Sequence, residues 1–182
     1  MAATCSTPPT STADICHEWL RDVIGCDNIV QEHCLRVYTL GLSHCANQSC
    51  HTPLETQVGW KFVISEPSGA TVIADLTVAS PDARPEVVGI ARNDICGYVQ
   101  KCIQGVAGMP EASQGHYELR WLSIPGLLLE CLWWMALNDS PDLVMPVRGL
   151  DEAFEMRRLY SMPEFLELVR PSALEWLAGK DE

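Results

Sequence analysis

From Trp121 to Leu137 the chain is almost unbroken hydrocarbon and indole, carrying Trp121, Trp133 and Trp134, yet Pro125, Gly126 and Glu130 interrupt it. A helix that spans a bilayer needs about 20 consecutive apolar residues without such breaks, so the run reads as the buried centre of a globular fold, and no membrane partner is expected. The break at Pro125 and Gly126 divides it into two elements. Tyr117, Leu119 and Trp121 alternate with Glu118 and Arg120, the pattern of a half-buried strand. From Leu127 to Leu137 both faces are apolar, and periodicity does not separate a central strand from a buried helix. The turn residues Asn138 to Asp142 and the short Leu143 to Val147 run favour a hairpin, with Pro146 placing that last strand on an edge because proline donates no ladder hydrogen bond.

Upstream, Trp60, Phe62 and Ile64 alternate with Lys61 and Val63, and Val72, Ala74, Leu76 and Val78 alternate with Thr71, Ile73 and Asp75. Pro67, Ser68 and Gly69 supply turn chemistry between them, so the two strands are expected as an antiparallel hairpin. A third strand covers Glu86 to Arg92. Asn93 or Asp94 then caps a helix whose Ile95, Val99, Cys102 and Val106 share one face and which Gly108 and Pro110 close. Earlier still, Ser11 and Asp14 resemble a cap for a helix carrying Ile15, Trp19, Leu20, Val23 and Ile24, ended by Gly25. Ile29 to Leu42 is read as a strand and His44 to Thr56 as a polar loop. At the other end Ser161 with Glu164 and Ser172 with Glu175 are capping boxes, so two short helices are expected.

The length of 182 residues suits one core. The expectation is an α+β fold in a single domain over residues 14–182: a mostly antiparallel sheet of about five to seven strands, an N-terminal helix, one inserted helix and C-terminal helices packed on the sheet. Residues 1–13, rich in Ser, Thr and Pro, are expected as a flexible tail. They show neither a basic n-region nor an apolar h-region, so no secretory signal is read there and a cytoplasmic location is expected. In that compartment the nine cysteines are thiols, and an odd number leaves one unpaired in any case. The formal charge of −12 opposes binding to phosphate backbones, so nucleic acid is not an expected partner.

Four of the five histidines adjoin a cysteine: Cys16 with His17, His33 with Cys34, His44 with Cys45, and Cys50 with His51. Thiolate and imidazole are zinc's preferred ligands, which makes Cys34, His44, Cys45, Cys50 and His51 the candidate metal set. Against it, neighbouring residues of a strand point to opposite faces, and small buried thiols pack as ordinary hydrophobes. A cysteine nucleophile needs a selected imidazole beside it, and no signature selects one among Cys16, Cys26, Cys34, Cys96, Cys102 and Cys131. Glu130, the only charge in the apolar run, is expected to pair with Arg120 or Arg148. The glycines form no phosphate cradle, since Gly105 and Gly108 close a helix instead of opening one.

No catalytic residue is therefore assigned. The expected function is a non-catalytic protein-binding or assembly module that meets a protein partner or a second copy through Trp133 or Trp134 and Trp176. Adjacent residues of a strand cannot both face one core, and tryptophan is enriched at interface hot spots. The opposing view buries both tryptophans, one between sheet and helix and the other under the C-terminal helices. The alternatives are a zinc-stabilised regulatory protein and an enzyme whose small-molecule pocket is assembled from residues far apart in sequence.

Overall fold

A computed structural model describes residues 2–25, 31–47, 56–66, 68–77, 85–112, 115–149, 155 and 158–179. Within them the chain is α+β, with four helices packed on one mostly antiparallel nine-stranded sheet. The strands are β1 (Ala2–Cys5), β2 (Gln31–Thr39), β3 (Thr56–Ser65), β4 (Thr71–Thr77), β5 (Glu86–Ala91), β6 (His116–Ile124), β7 (Leu129–Ala136), β8 (Leu143–Arg148) and β9 (Tyr160–Ser161). Their order is β5-β4-β3-β2-β6-β7-β8-β9, and β1 adds to β6. The helices are α1 (Thr10–Ile24), α2 (Leu42–Ala46), α3 (Asp94–Gly105) and α4 (Met162–Ala178).

The hairpins follow from turn chemistry and alternation. β3 pairs antiparallel with β4, β4 with β5, β6 with β7, and β7 with β8. The run from Leu127 to Leu137 is thus a central strand preceded by a short 3-10 turn at Pro125–Leu127. Leu128 turns the chain back with a positive φ of 51°, and its exposed side chain leaves the inside of the turn free. β6 has a divided edge. Its first half pairs in parallel with β1, from Ala2 opposite His116 to Cys5 opposite Leu119, and its second half pairs in parallel with Arg36–Thr39 of β2.

Alternation sorts the apolar residues onto two faces. One face carries Leu35, Val63, Ile73, Tyr117, Leu119, Trp121, Leu132 and Trp134, and α3 covers it with Cys96, Val99 and Cys102. The other face has two clusters. Cys34, Trp60, Phe62, Ile64, Val72, Ala74 and Leu76 lie under Cys16 and Leu20 of α1. Leu122, Ile124, Cys131, Trp133 and Val144 lie under Phe165, Leu166 and Val169 of α4, with Cys45 of α2 joining them.

Four expectations are corrected. The sheet has more strands than about five to seven, because β1 and the two-residue β9 are too short to show alternation. Residues 2–5 are strand and not tail, since β6 offers them a row of backbone partners, and α1 begins at Thr10 behind Pro9, ahead of the Ser11 cap. The loop at His44–Thr56 is in its first residues the end of α2. The C-terminal region is one helix: Ser161 caps it by accepting from the Glu164 amide at 3.4 Å, but the helix runs through Pro171 and Ser172. The buried series Phe165, Leu166, Val169 and Ala173 crosses Pro171 unbroken, and that burial outweighs one lost backbone hydrogen bond. Pro146 fits its expected edge only locally, because β9 pairs β8 at Leu143 and Val144 and no further.

β3 contains a register shift beside Gly59, where Val37 and Tyr38 of β2 face Gly59 and Gln57. A Cβ built on Gly59 would lie 2.1 Å from the backbone oxygen of Leu76 in β4. Backbone of a central strand yields little. Gly59→Ala is expected to cost about 2 kcal/mol or more, read as a lower urea midpoint with an unchanged slope; a midpoint equal to wild type would show that β4 gives way freely.

Candidate functional site

The two adjacent tryptophans are both fully buried, so neither supplies the exposed surface expected of them. Trp133 packs under α4, its ring edge-on to Tyr38 at 5.5 Å between centroids, and its Nε1 donates to Asp142 Oδ2 at 3.1 Å. Trp134 packs on the opposite face beneath α3. The chain itself supplies both apolar environments. Trp176 stands apart at 43% exposure, on the last turns of α4, beside Leu174 at 50%. Helical spacing sets Trp176 in line with buried Val169, and Leu177 four residues after buried Ala173. The apolar stripe of α4 therefore runs beyond its last buried residue.

The candidate metal set is not assembled among the described residues. Cys34 lies in the cluster under α1, whereas Cys45 lies in the cluster under α4, and His44 is half-buried on α2. Cys50 and His51 lie outside the described residues. Among those described, no group of three or more His, Cys, Asp or Glu side chains is placed to hold a metal ion. Burial, reinforced by the Glu32 carboxylate, pushes the Cys16 thiol up to about 12 and raises Cys34 as well. Burial likewise raises Cys131. Thiols held protonated are poor metal ligands and poor nucleophiles. His33 meets Cys5, with Nδ1 3.4 Å from Sγ, but burial lowers the His33 pKa, which disfavours the imidazolium that would stabilise a thiolate.

Glu130 finds neither expected arginine as its hydrogen-bond partner. Its carboxylate accepts from Trp121 Nε1 and, at 3.0 Å, from Ser123 Oγ. Arg120 is on the other face of β6 and pairs with Glu118, Nε at 3.1 Å and Nη2 at 2.8 Å from Oε2. Its guanidinium lies 4.7 Å from the Tyr38 ring centre and 4.9 Å from that of Trp133. Glu118 also takes the Ser6 hydroxyl and Nη1 of Arg36 at 3.5 Å, while Arg36 lies over the Trp60 ring. Ser6, Glu118, Arg120 and Arg36 form a charged seam between the two apolar clusters of this face. Sequence reasoning missed it, although Glu118 and Arg120, two apart between buried neighbours, must point to the same side.

An open cavity of about 550 Å³ lies where the β3–β4 turn meets the start of α3. Arg92, Asn93, Asp94, Tyr98 and Lys101 line it together with Gly69 and Gly97. Asn93 caps α3 by accepting from the Ile95 amide at 3.1 Å, and Arg92 donates to Glu66 at 2.6 Å. These residues come from the β3–β4 turn and from α3 with the two residues that precede it.

Burial by itself raises the Glu118 carboxyl, but the Ser6 hydroxyl and the two guanidiniums outweigh it and hold the group below its ordinary value of 4.5. A carboxyl depressed on folding stabilises the fold above its unfolded pKa and loses that contribution as pH falls through its folded pKa. The urea midpoint is therefore expected to fall from about pH 5 to about pH 3, and Glu118→Gln to flatten that slope while costing about 2–4 kcal/mol at neutral pH. Equal acid slopes in the two proteins would assign the acid sensitivity to other carboxylates. No protein-family model, curated protein or solved structure matches this chain.

Proposed function

We propose that this protein is a non-catalytic binding and assembly module whose contact surface is the C-terminal end of α4. The observation that carries this reading is the position of Trp176: in line with the buried stripe of its own helix, yet 43% exposed. Leu174 and the half-buried Leu177 flank it, so an apolar patch with an indole at its centre faces solvent. Tryptophan in such a setting is the residue most often found to dominate an interface, because its large surface loses water at little cost in side-chain entropy. Trp133 and Trp134 take no part, since both are consumed by the core.

A second reading, a small-molecule site, is favoured by the cavity beside α3. Arg92, Asn93, Tyr98 and Lys101 line it from the start of α3 and the two residues ahead of it, with Gly69 and Ala70 of the β3–β4 turn completing the lining, a set of polar groups around a concave site. The two readings use opposite ends of the chain's fold and separate in experiment.

Trp176→Ser tests the first. Association, measured by light scattering for self-assembly and by titration for any captured partner, is expected to weaken at least about tenfold, or about 1.4 kcal/mol. The thermal midpoint should hardly move, because a half-exposed residue contributes little to folding. Unchanged association in a folded Trp176→Ser protein would remove α4 from the interface.

A further inference from the structure

β1 holds its place on the sheet with little side-chain burial. Ala3, Thr4 and Cys5 are all exposed, and neither Ala3 nor Cys5 belongs to any of the three buried clusters. Its attachments are a four-residue parallel ladder to β6, the Thr4 hydroxyl donating to the Tyr117 carbonyl at 3.4 Å, the Cys5–His33 contact, and the Ser6 hydroxyl on Glu118. Short parallel ladders with little apolar burial lie at the low-stability end of a fold. The acceptor differs in kind. Tyr117 and Leu119 of β6 are buried and β7 pairs along the strand's other edge, so the row of backbone donors and acceptors at His116–Leu119 stays formed whether or not β1 lies on it. The hinge between β1 and α1 is Thr7-Pro8-Pro9, and Pro9 is extended with φ −53° and ψ 142°. Two prolines hold such a hinge open.

We propose that β1 exchanges between two copies of this chain, with the β6 edge at His116–Leu119 accepting Ala2–Cys5 of the second copy. This deepens the assembly reading above and rests on it. The occupant is a second copy because the slot is already matched to this chain's own strand: register, ladder and the Ser6 hydroxyl on the Glu118 carboxylate are all satisfied by Ala2–Ser6. Closed and exchanged forms make the same bonds and differ in the hinge and in the entropy of association, so concentration decides between them. The exchange also places Ser6 of one copy in the charged seam of the other.

The test uses the full chain. Light scattering across a range of concentrations gives the dimerisation constant of wild type, of a variant with both Ala3→Pro and Thr4→Pro, and of a variant lacking Thr7. Paired prolines remove a ladder donor of β1 whichever edge it presents, and are expected to lower the constant at least tenfold. Removing Thr7 shortens the hinge so that β1 reaches its own acceptor poorly, and is expected to raise the constant at least tenfold, an outcome that misfolding does not imitate. Dimers that form equally well in all three proteins but are lost in Trp176→Ser would overturn strand exchange and leave the α4 surface standing. A wild-type chain that is monomeric at every concentration overturns exchange and self-assembly together. A wild-type chain that is monomeric yet binds a synthetic peptide of residues 1–9 shows a strand-accepting edge meant for another protein, and overturns the second copy as its occupant.

Discussion

The Arg120 guanidinium is the point on which one whole face of the sheet depends. It is a buried cation between the rings of Tyr38 and Trp133, and such a charge is tolerated only where a partner and hydrogen bonds replace its water. Glu118 supplies both from the same strand, and Arg36 and Ser6 complete the carboxylate's coordination. The result is an ionic seam across an otherwise apolar surface. On one side α1 closes over Trp60 and Phe62, and on the other α4 closes over Leu122 and Trp133. Because the seam ties Ser6, directly after β1, to Arg36 of β2 and Glu118 of β6, it also sets the relative placement of three strands that no hairpin joins to one another.

The adjacent tryptophans show how a sheet resolves a local conflict. Two neighbouring indoles on β7 must face opposite ways, and each then needs a helix on its side. α3 lies over Trp134 and α4 over Trp133, so the central strand is roofed on both faces and reads as a continuous apolar run. Trp176 is the same residue type in the opposite circumstance. Its helix carries the stripe past its last buried residue, and the chain offers it partial cover only.

The α+β class, the β3–β4 and β7–β8 hairpins, the Asn93 cap and the Ser161 cap were legible because each rests on contacts within a few residues: alternation, turn residues, a side-chain oxygen near a free amide. What was not legible rests on long-range pairing. β1 carries Ala, Thr and Cys with no alternation, and only the distant β6 makes it a strand. Pro171 and the Ser172 capping box argue locally for two helices, while the stripe from Phe165 to Ala173 binds them into one. The tryptophan pair was legible as a demand for two apolar environments, but whether the chain met both depended on where α3 and α4 pack. The charged seam was half legible: Glu118 and Arg120 are visibly on one face, but Arg36 and Ser6 arrive from elsewhere.

Pro171 has a further consequence for α4. Lacking an amide hydrogen, it leaves the carbonyl one turn back without its helical partner, and its ring presses on that turn. The gap in hydrogen bonding falls within the part clamped to the sheet, because Ala173 beyond it is fully buried in the same cluster as Phe165 and Val169. The clamped half takes its direction from the core. Packing on both sides of Pro171 therefore holds the helix across the missing bond, and the core fixes the direction in which Trp176 projects.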